Sequence, residues 1–536
     1  MTLKQKIGQF FFPAAFINDS ESEIQALEQL IREHHIGGLT FFHSRASAAT
    51  NYESKKQVIL NDESCQRLKE LIIRYQKCAS TPLLISIDAE WGLAMRVEKT
   101  PQYPYAITLG ALPLSEIDLV YQVGKQIGTD LKAVGIHYNL APLADINNNP
   151  DNPVIGYRSF GEDKEKVAQF ALAYLQGLND AGILGCLKHF PGHGNTNVDS
   201  HLGLPVLTES LEELMNNELH PFAAGIAADV DSIMIGHLAV PALNDGENTS
   251  ATLSQKVIEG LLRTQMGFEG LVISDALNMH SVSKLYTEKG QLEWEAFQAG
   301  NDVLCFAENI AEGIQFIKAN ATIERIDASY NRILKYKKKA GLLDTKNEFK
   351  LSSTTNFDWE TTSQLNTKIA QNSITSLINK TKKAELLNAI KKKSFAKISL
   401  YGPINNLFFT SLESELSSPT FTYTQDDTSF AIHFEQQLQN FDTVLISLFV
   451  PKAKPLNNFE LEDEVLHMLK KLLETKKCTV YVFGNPYSLQ VIPSLSQAKG
   501  LVMVYQDFKE FQEAAAQHFL TDTLGKGTLP VHVPLS

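Results

Sequence analysis

The run Lys188-His189-Phe190-Pro191-Gly192-His193-Gly194 is followed closely by Asp199-Ser200-His201. It gathers one ammonium, three imidazoles and a carboxylate onto a stretch whose glycines and proline make a specific turn and let the backbone approach a ligand. Lysine and histidine side chains can hydrogen-bond the hydroxyls of a polar, neutral ligand. A carboxylate two residues before His201 can hold one ring nitrogen and leave the other to give or take a proton. Imidazole titrates near neutrality, so such a pair needs little tuning. Two other readings stand beside this one. His189, His193, His201 and Asp199 are also metal-ligand types, although their spacing is irregular and no helical His-x-x-x-His pattern is present. The loop could also be purely structural.

A second candidate is Asp275, which ends the apolar run Gly270-Leu271-Val272-Ile273-Ser274. An aspartate there is either the N-cap of a following helix or a rigidly held carboxylate nucleophile. The residues alone leave both open. Two further groups, Asp88-Ala89-Glu90-Trp91-Gly92 with Arg96 and Asn152–Gly161 with Arg158, offer carboxylates and guanidinium groups suited to bidentate contact with sugar hydroxyls. Trp91 and Tyr157 could stack on a sugar ring, and structural salt bridges are the plainer alternative.

Elements must bring these groups together. Short apolar runs at Ile36–Phe42, Leu83–Asp88, Ile136–Leu140, Gly185–His189, Ser232–His237, Leu271–Ser274 and Asp302–Phe306 read as strands. Amphipathic stretches at Glu21–His34, Gln66–Tyr75, Glu116–Val134, Lys164–Ala181 and Leu211–Ala228 read as helices. This alternation predicts parallel β/α units closing into a barrel. Asp88, Asp145, Lys188-His189, His237 and Asp275 each fall at or just after a strand end. In such a barrel those ends share the face that carries active sites.

Polar, Ser/Thr/Asn-rich sequence around residues 346–375 reads as a linker. Beyond it, Lys397–Gly402, Thr443–Val450, Cys478–Phe483 and Leu501–Tyr505 predict strands, with a helix at Glu462–Thr475 and a turn at Gly525–Val531 entering a short terminal strand. The expected architecture is therefore α/β: a TIM-like (β/α)8 barrel over residues 1–345, then a smaller α/β domain with an open, doubly wound sheet over residues 376–536.

Composition bounds the partners. The 536 residues carry 48 Lys+Arg against 61 Asp+Glu, a net charge of −13, which gives no general attraction to nucleic acid or anionic membrane. The basic runs Lys335–Lys339 and Lys391–Lys393 read as solvated faces or element ends. No apolar run is long enough for a transmembrane helix. Five scattered cysteines, with no CxxC spacing, argue against a disulfide framework, and Cys186 and Cys305 lie in apolar runs as expected of buried thiols. The opening residues lack the apolar core of a signal peptide, which suits a cytoplasmic protein as the sequence stands, or a periplasmic or secreted one from which a leader was removed.

With these motifs in view, the sequence resembles glycoside hydrolase family 3, within it the bacterial β-N-acetylglucosaminidases. The resemblance runs from Thr2–Gln9 through the Asp88 and Arg158 motifs, the Lys188–His201 loop, Ser274-Asp275-Ala276 and Ala299–Asp302 to Leu529-Pro530-Val531. It implies a barrel followed by an α/β sandwich domain. It implies Asp275 as nucleophile, His201 as general acid/base oriented by Asp199, and sugar-binding roles for Asp88, Arg158, Lys188 and His189 with Arg96 in support. It implies a small carbohydrate substrate and no metal or other cofactor. Trp91 and Leu93 stand where many relatives have Gly and Arg, and Asn195 where a common variant has Asp. The first departure bears on the leaving-group side of the pocket.

The natural aglycone stays open between muropeptides and chitooligosaccharides. A neutral imidazole repels an incoming anion less than a carboxylate does, so a phosphorylase is one alternative. A β-glucosidase of the same family and a catalytically silent carbohydrate-binding protein are others.

Overall fold

The computed structural model describes residues 1–45, 60–196, 203–343, 351–352, 355–380, 389–425, 429–521 and 525–536, with side chains omitted at 429–432. Two compact units emerge. The first comprises Met1–Tyr103, Val120–Ile155 and Lys164–Trp359; the second comprises Pro104–Leu119, Gly156–Asp163 and Glu360–Ser536.

In the first unit the strands are β1 (Phe11–Phe12), β2 (Ala14–Phe16), β3 (Gly38–Phe42), β4 (Leu84–Ile87), β5 (Tyr138–Asn139), β6 (Leu187–Phe190), β7 (Ser232–Ile235), β8 (Leu271–Ser274) and β9 (Leu304–Cys305). All pairings among them are parallel. Phe11 and Phe12 register with Leu304 and Cys305, β2 pairs β3, and the ladder continues through β4 to β5. Bridges at Tyr138–Leu184 and Leu143–Lys188 carry it to β6; β6, β7 and β8 pair in turn, and Ile273–Val303 returns it to β9. With β1 and β2 as one strand interrupted at Pro13, the ring has eight members and closes, which removes exposed edges.

The interior is dense and locally polar. Thr40 Oγ1 lies 2.9 Å from Ser86 Oγ, and the Tyr138 hydroxyl donates to Ser232 Oγ at 2.6 Å. Each of these buried hydroxyls thereby meets the partner that burial demands. Outside the ring, the helix Glu21–His34 begins with a capping box at Ser20 and Glu23, as the [ST]-x-x-[DE] pattern leads one to expect.

Some expectations are corrected. The strand Phe11–Phe16 was not anticipated, because it is short and broken by Pro13, a residue that rarely interrupts a central strand. The stretch Leu211–Ala228 is two helices, Leu211–Asn216 and His220–Ala227. Pro221 has no N–H to continue a ladder but suits the first turn of a new helix, where it sits. The region 346–375 is not all linker: Trp359–Ser373 is helical and buries Leu365, Ile369 and Ala370. Lys337, in the basic run, is fully buried: its Nζ donates to Gln9 Oε1 at 2.7 Å.

The second unit holds a six-stranded sheet made of β10 (Thr375–Asn379), β11 (Phe395–Leu400), β12 (Thr420–Tyr423), β13 (Thr443–Phe449), β14 (Lys477–Phe483) and β15 (Gly500–Met503). The order is β10-β15-β14-β13-β11-β12, parallel except for the antiparallel edge strand β10. The helix Asp463–Thr475 packs Val465, Met468, Leu469 and Leu472 onto it. Ile107 and Ala111 belong to this same core, which is why Pro104–Leu119 groups here and not with the barrel around it in sequence. No terminal strand forms at Val531; instead the Glu162 N–H donates to Pro530 O, and the His532 N–H to Glu162 Oε2.

Candidate active site

The strands of a parallel barrel end together, and Asp88, His237 and Asp275 stand just past those ends. Asp88 follows β4, and Lys188 lies within β6 with its side chain 2% exposed. Burying an ammonium requires paired charge. Lys188 Nζ meets Asp88 Oδ1 at 2.8 Å and Glu90 Oε1 at 2.8 Å. Arg96 approaches the other Asp88 oxygen at 3.4 Å and lays its guanidinium over the Phe42 ring, 3.7 Å from the centroid. Burial alone would raise the Asp88 carboxyl; Lys188 and then Arg96 outweigh it and hold it below its ordinary value. Two cations and two carboxylates thus form a nearly neutral set of ionised groups, suited to hydroxyls more than to a charged ligand.

The Asp88–Glu90 turn is itself anchored. Asn139 Oδ1 accepts the Ala89 N–H at 3.0 Å, and the Tyr174 hydroxyl donates to Glu90 O at 3.0 Å.

Next to Lys188, the His189 ring places Nδ1 2.8 Å from Asp145 Oδ2. His193 stacks edge-on against His189, with ring centroids 5.9 Å apart, and its Nδ1 lies 2.6 Å from Thr196 Oγ1. Burial, then the neighbouring His189, pushes the His193 imidazole down to about 4. The Nδ1 atoms of both rings are therefore engaged by protein oxygens.

Asp275 follows β8 and is partly buried. Its N–H donates to Ile235 O at 3.0 Å, and its Oδ1 accepts the Ala276 N–H at 2.7 Å. The next helix starts only at His280, with Met279 at its N-cap, so Asp275 does not cap it. His237, beyond β7, donates from Nε2 to Ala276 O at 2.9 Å and so ties the tip of one strand to the next. Asp275 acts electrostatically on His193, and Asp275 and Asp88 both act on the Cys305 thiol, which burial already pushes up. Asp88 follows β4 and Asp275 follows β8, so both stand at the C-terminal end of the barrel.

Asp302 lies toward the other end of β8. It accepts the Val272 N–H at 3.1 Å and meets Arg263 at 2.7 Å, Arg332 at 3.0 Å and Arg325 at 3.3 Å. Arg158 sits on the short turn Gly156–Arg158 of the second unit, with Tyr157 packed edge-on against Tyr105. Asp199 and His201 lie outside the described residues.

Glu90 and Asp145 were visible in the sequence as a motif member and a strand-end carboxylate, but no role followed from that. Their partners, Lys188 and His189, are distant in the chain, and only folding brings them together.

The model of the glycosyl hydrolase family 3 N-terminal domain matches residues 2–336. The chain belongs to glycosyl hydrolase family 3. Among relatives, a protein named beta-hexosaminidase A from Pseudoalteromonas piscicida is 32% identical over 342 residues, 58% of this chain and 55% of its own. A beta-hexosaminidase from Xylella fastidiosa (strain M12) is 36% identical over 237 residues, 43% of this chain and 66% of its own. The chain thus spans about half to two thirds of the length of these curated relatives. A solved family 3 beta-N-acetylglucosaminidase from Paenibacillus sp. str. FPU-7 superposes with a TM-score of 0.79 at 27% identity and 100% coverage of both chains. The family match covers the barrel, and the likeness to the Paenibacillus enzyme extends over the mixed-sheet domain as well.

Proposed function

We propose that the chain is a retaining, exo-acting β-N-acetylglucosaminidase that removes terminal β-linked N-acetylglucosamine from muropeptides or chitooligosaccharides. The observation that carries this reading is the Lys188–Asp88 pair, flanked by Glu90, Arg96 and His189, at the same barrel end as Asp275. Such a set can fix a neutral sugar by its hydroxyls and leave a separate carboxylate for the anomeric carbon. The names of the relatives point to the same hexosaminide class.

In the reaction, the Asp275 carboxylate attacks the anomeric carbon while protonated His201, oriented by Asp199, gives its proton to the departing glycosidic oxygen. Neutral His201 then takes a proton from water, the water oxygen bonds to the anomeric carbon, and the Asp275–sugar bond breaks. Two inversions leave the configuration retained. Asp88, Lys188 and His189 hold the sugar, with Arg96 bracing Asp88.

The test is to incubate the protein with chitobiose and with purified muropeptides, with and without phosphate, and to follow product mass and anomeric configuration. Free N-acetylglucosamine of retained configuration is expected in both phosphate conditions. A sugar 1-phosphate as main product would make it a phosphorylase. Equal turnover of matched chromogenic glucosides and N-acetylglucosaminides would overturn the hexosaminide specificity.

A further inference from the structure

Asp145 is fully buried and lies in the chain just past β5. The Ala144 N–H donates to Lys188 O at 2.7 Å, which holds this carboxylate against β6. Its two oxygens do different things. Oδ1 accepts two backbone hydrogens, from His189 at 3.1 Å and His193 at 2.7 Å. Oδ2 faces His189 Nδ1 at 2.8 Å. An ionised carboxylate only accepts, so Nδ1 must carry the hydrogen of that contact, and in the neutral ring Nε2 is then left with a lone pair.

We propose that Asp145 is a positioning residue that sets the tautomer of His189, so that His189 presents an accepting Nε2 to a hydroxyl of the bound sugar. The proposal rests on the sugar-binding role given to His189 above. The two backbone donors on Oδ1 make it sharply testable. An asparagine at 145 must keep its carbonyl oxygen on those two N–H groups, because an amide NH2 there would face donors only. The NH2 group then falls opposite Nδ1, which must accept, and the ring hydrogen moves to Nε2. One isosteric change therefore reverses the hydrogen-bonding sense of His189 while keeping the loop's backbone bonds. A merely structural Asp145 would produce no such reversal.

The experiment has two readouts. Long-range 15N–1H spectra of the imidazoles, recorded at alkaline pH, report the tautomer of His189 in the wild type and in Asp145→Asn. Inhibition constants for N-acetylglucosamine and its monodeoxyfluoro analogues, each lacking one hydroxyl proton, report which hydroxyl donates to Nε2. The wild type is expected to show Nδ1–H and to bind one analogue about tenfold more weakly than the parent sugar, the scale of one lost hydrogen bond. Asp145→Asn is expected to show Nε2–H and to lose that discrimination. In a His189→Ala background the same substitution should leave the analogue series unchanged.

A wild-type ring protonated on Nε2 alone overturns the proposal, and that spectrum needs no variant to fold. An Asp145→Asn ring that keeps Nδ1–H also overturns it. A flipped tautomer with no analogue distinguished upholds Asp145 as the tautomer setter and overturns His189 as a sugar contact, which separates this inference from the reading it rests on.

Discussion

Lys188 and Asp88 stand a hundred positions apart in the chain and meet with Nζ 2.8 Å from Oδ1. The ammonium is almost wholly buried, and its second carboxylate, Glu90, is 2.8 Å away. Removing the cation leaves two carboxylates facing each other at low dielectric, a loss of about 3–5 kcal/mol for breaking a buried pair. Lys188→Met is therefore expected to lower the unfolding midpoint by several degrees and to weaken sugar binding. Glu90→Gln, which leaves the Asp88 pair intact, should cost less. Thermal unfolding of the two variants side by side checks the order.

The Asp302 cluster gives the opposite pairing of effects. Burial would raise this carboxyl, but Arg263, Arg325 and Arg332 outweigh burial and hold it low. Asp302→Asn should destabilise the fold by about 3–5 kcal/mol. Because Asp302 braces the end of β8 away from Asp275, kcat/KM per folded molecule should stay near the wild-type value. Active-site titration alongside activity separates the two quantities.

Lys337 predicts an alkaline gain in stability. Burial pushes its ammonium from the ordinary 10.5 down to about 7. Below that value both folded and unfolded chains hold the proton, and the folded state bears the full cost of the buried charge. Between about 7 and 10.5 the folded chain releases it first, so the unfolded state binds more protons and stability rises with pH. Lys337→Met should raise the midpoint at mildly acidic pH and flatten the rise above neutrality. Unfolding curves of both proteins across that window measure it.

His137 and His193 predict the acid limb. Burial takes both imidazoles from 6.5 down to about 4. As pH falls below 6.5 the unfolded histidines charge while the folded ones stay neutral, so stability declines and the loss is complete near 4. Histidine proton shifts followed by NMR should show neither ring titrating near 6.5 in the folded protein.

Much of this was legible from residue order, for identifiable reasons. Strands such as Leu84–Ile87 and Leu271–Ser274 are apolar runs with a single serine each, followed at once by Asp88 and Asp275, so run and break announce strand and site together. The helix Glu21–His34 was readable because its apolar residues recur at helical spacing, the structure burying Ile24 and Ile31 on one face. The strand at Phe11–Phe16 was hidden by Pro13, and β10 and β12 were hidden because Ser376–Ile378 and Phe421–Thr422 are only half-buried and mix polar with apolar residues. Lys337 read as a surface lysine because burial of one charge inside a basic run depends on Gln9, more than three hundred residues away. The assignment of Gly156–Arg158 to the second unit was equally unreadable: it follows from contacts such as Glu162 with Pro530, far along the chain.

The assignment of Asp275 as nucleophile is tested most directly by covalent trapping. A fluorinated N-acetylglucosaminyl donor that forms the glycosyl–enzyme faster than it is hydrolysed should trap the sugar on the nucleophile, and peptide mapping by mass spectrometry would locate it. One added sugar is expected, on Asp275, with none formed by Asp275→Ala. A label on another residue, or full activity retained by Asp275→Ala, would contradict it.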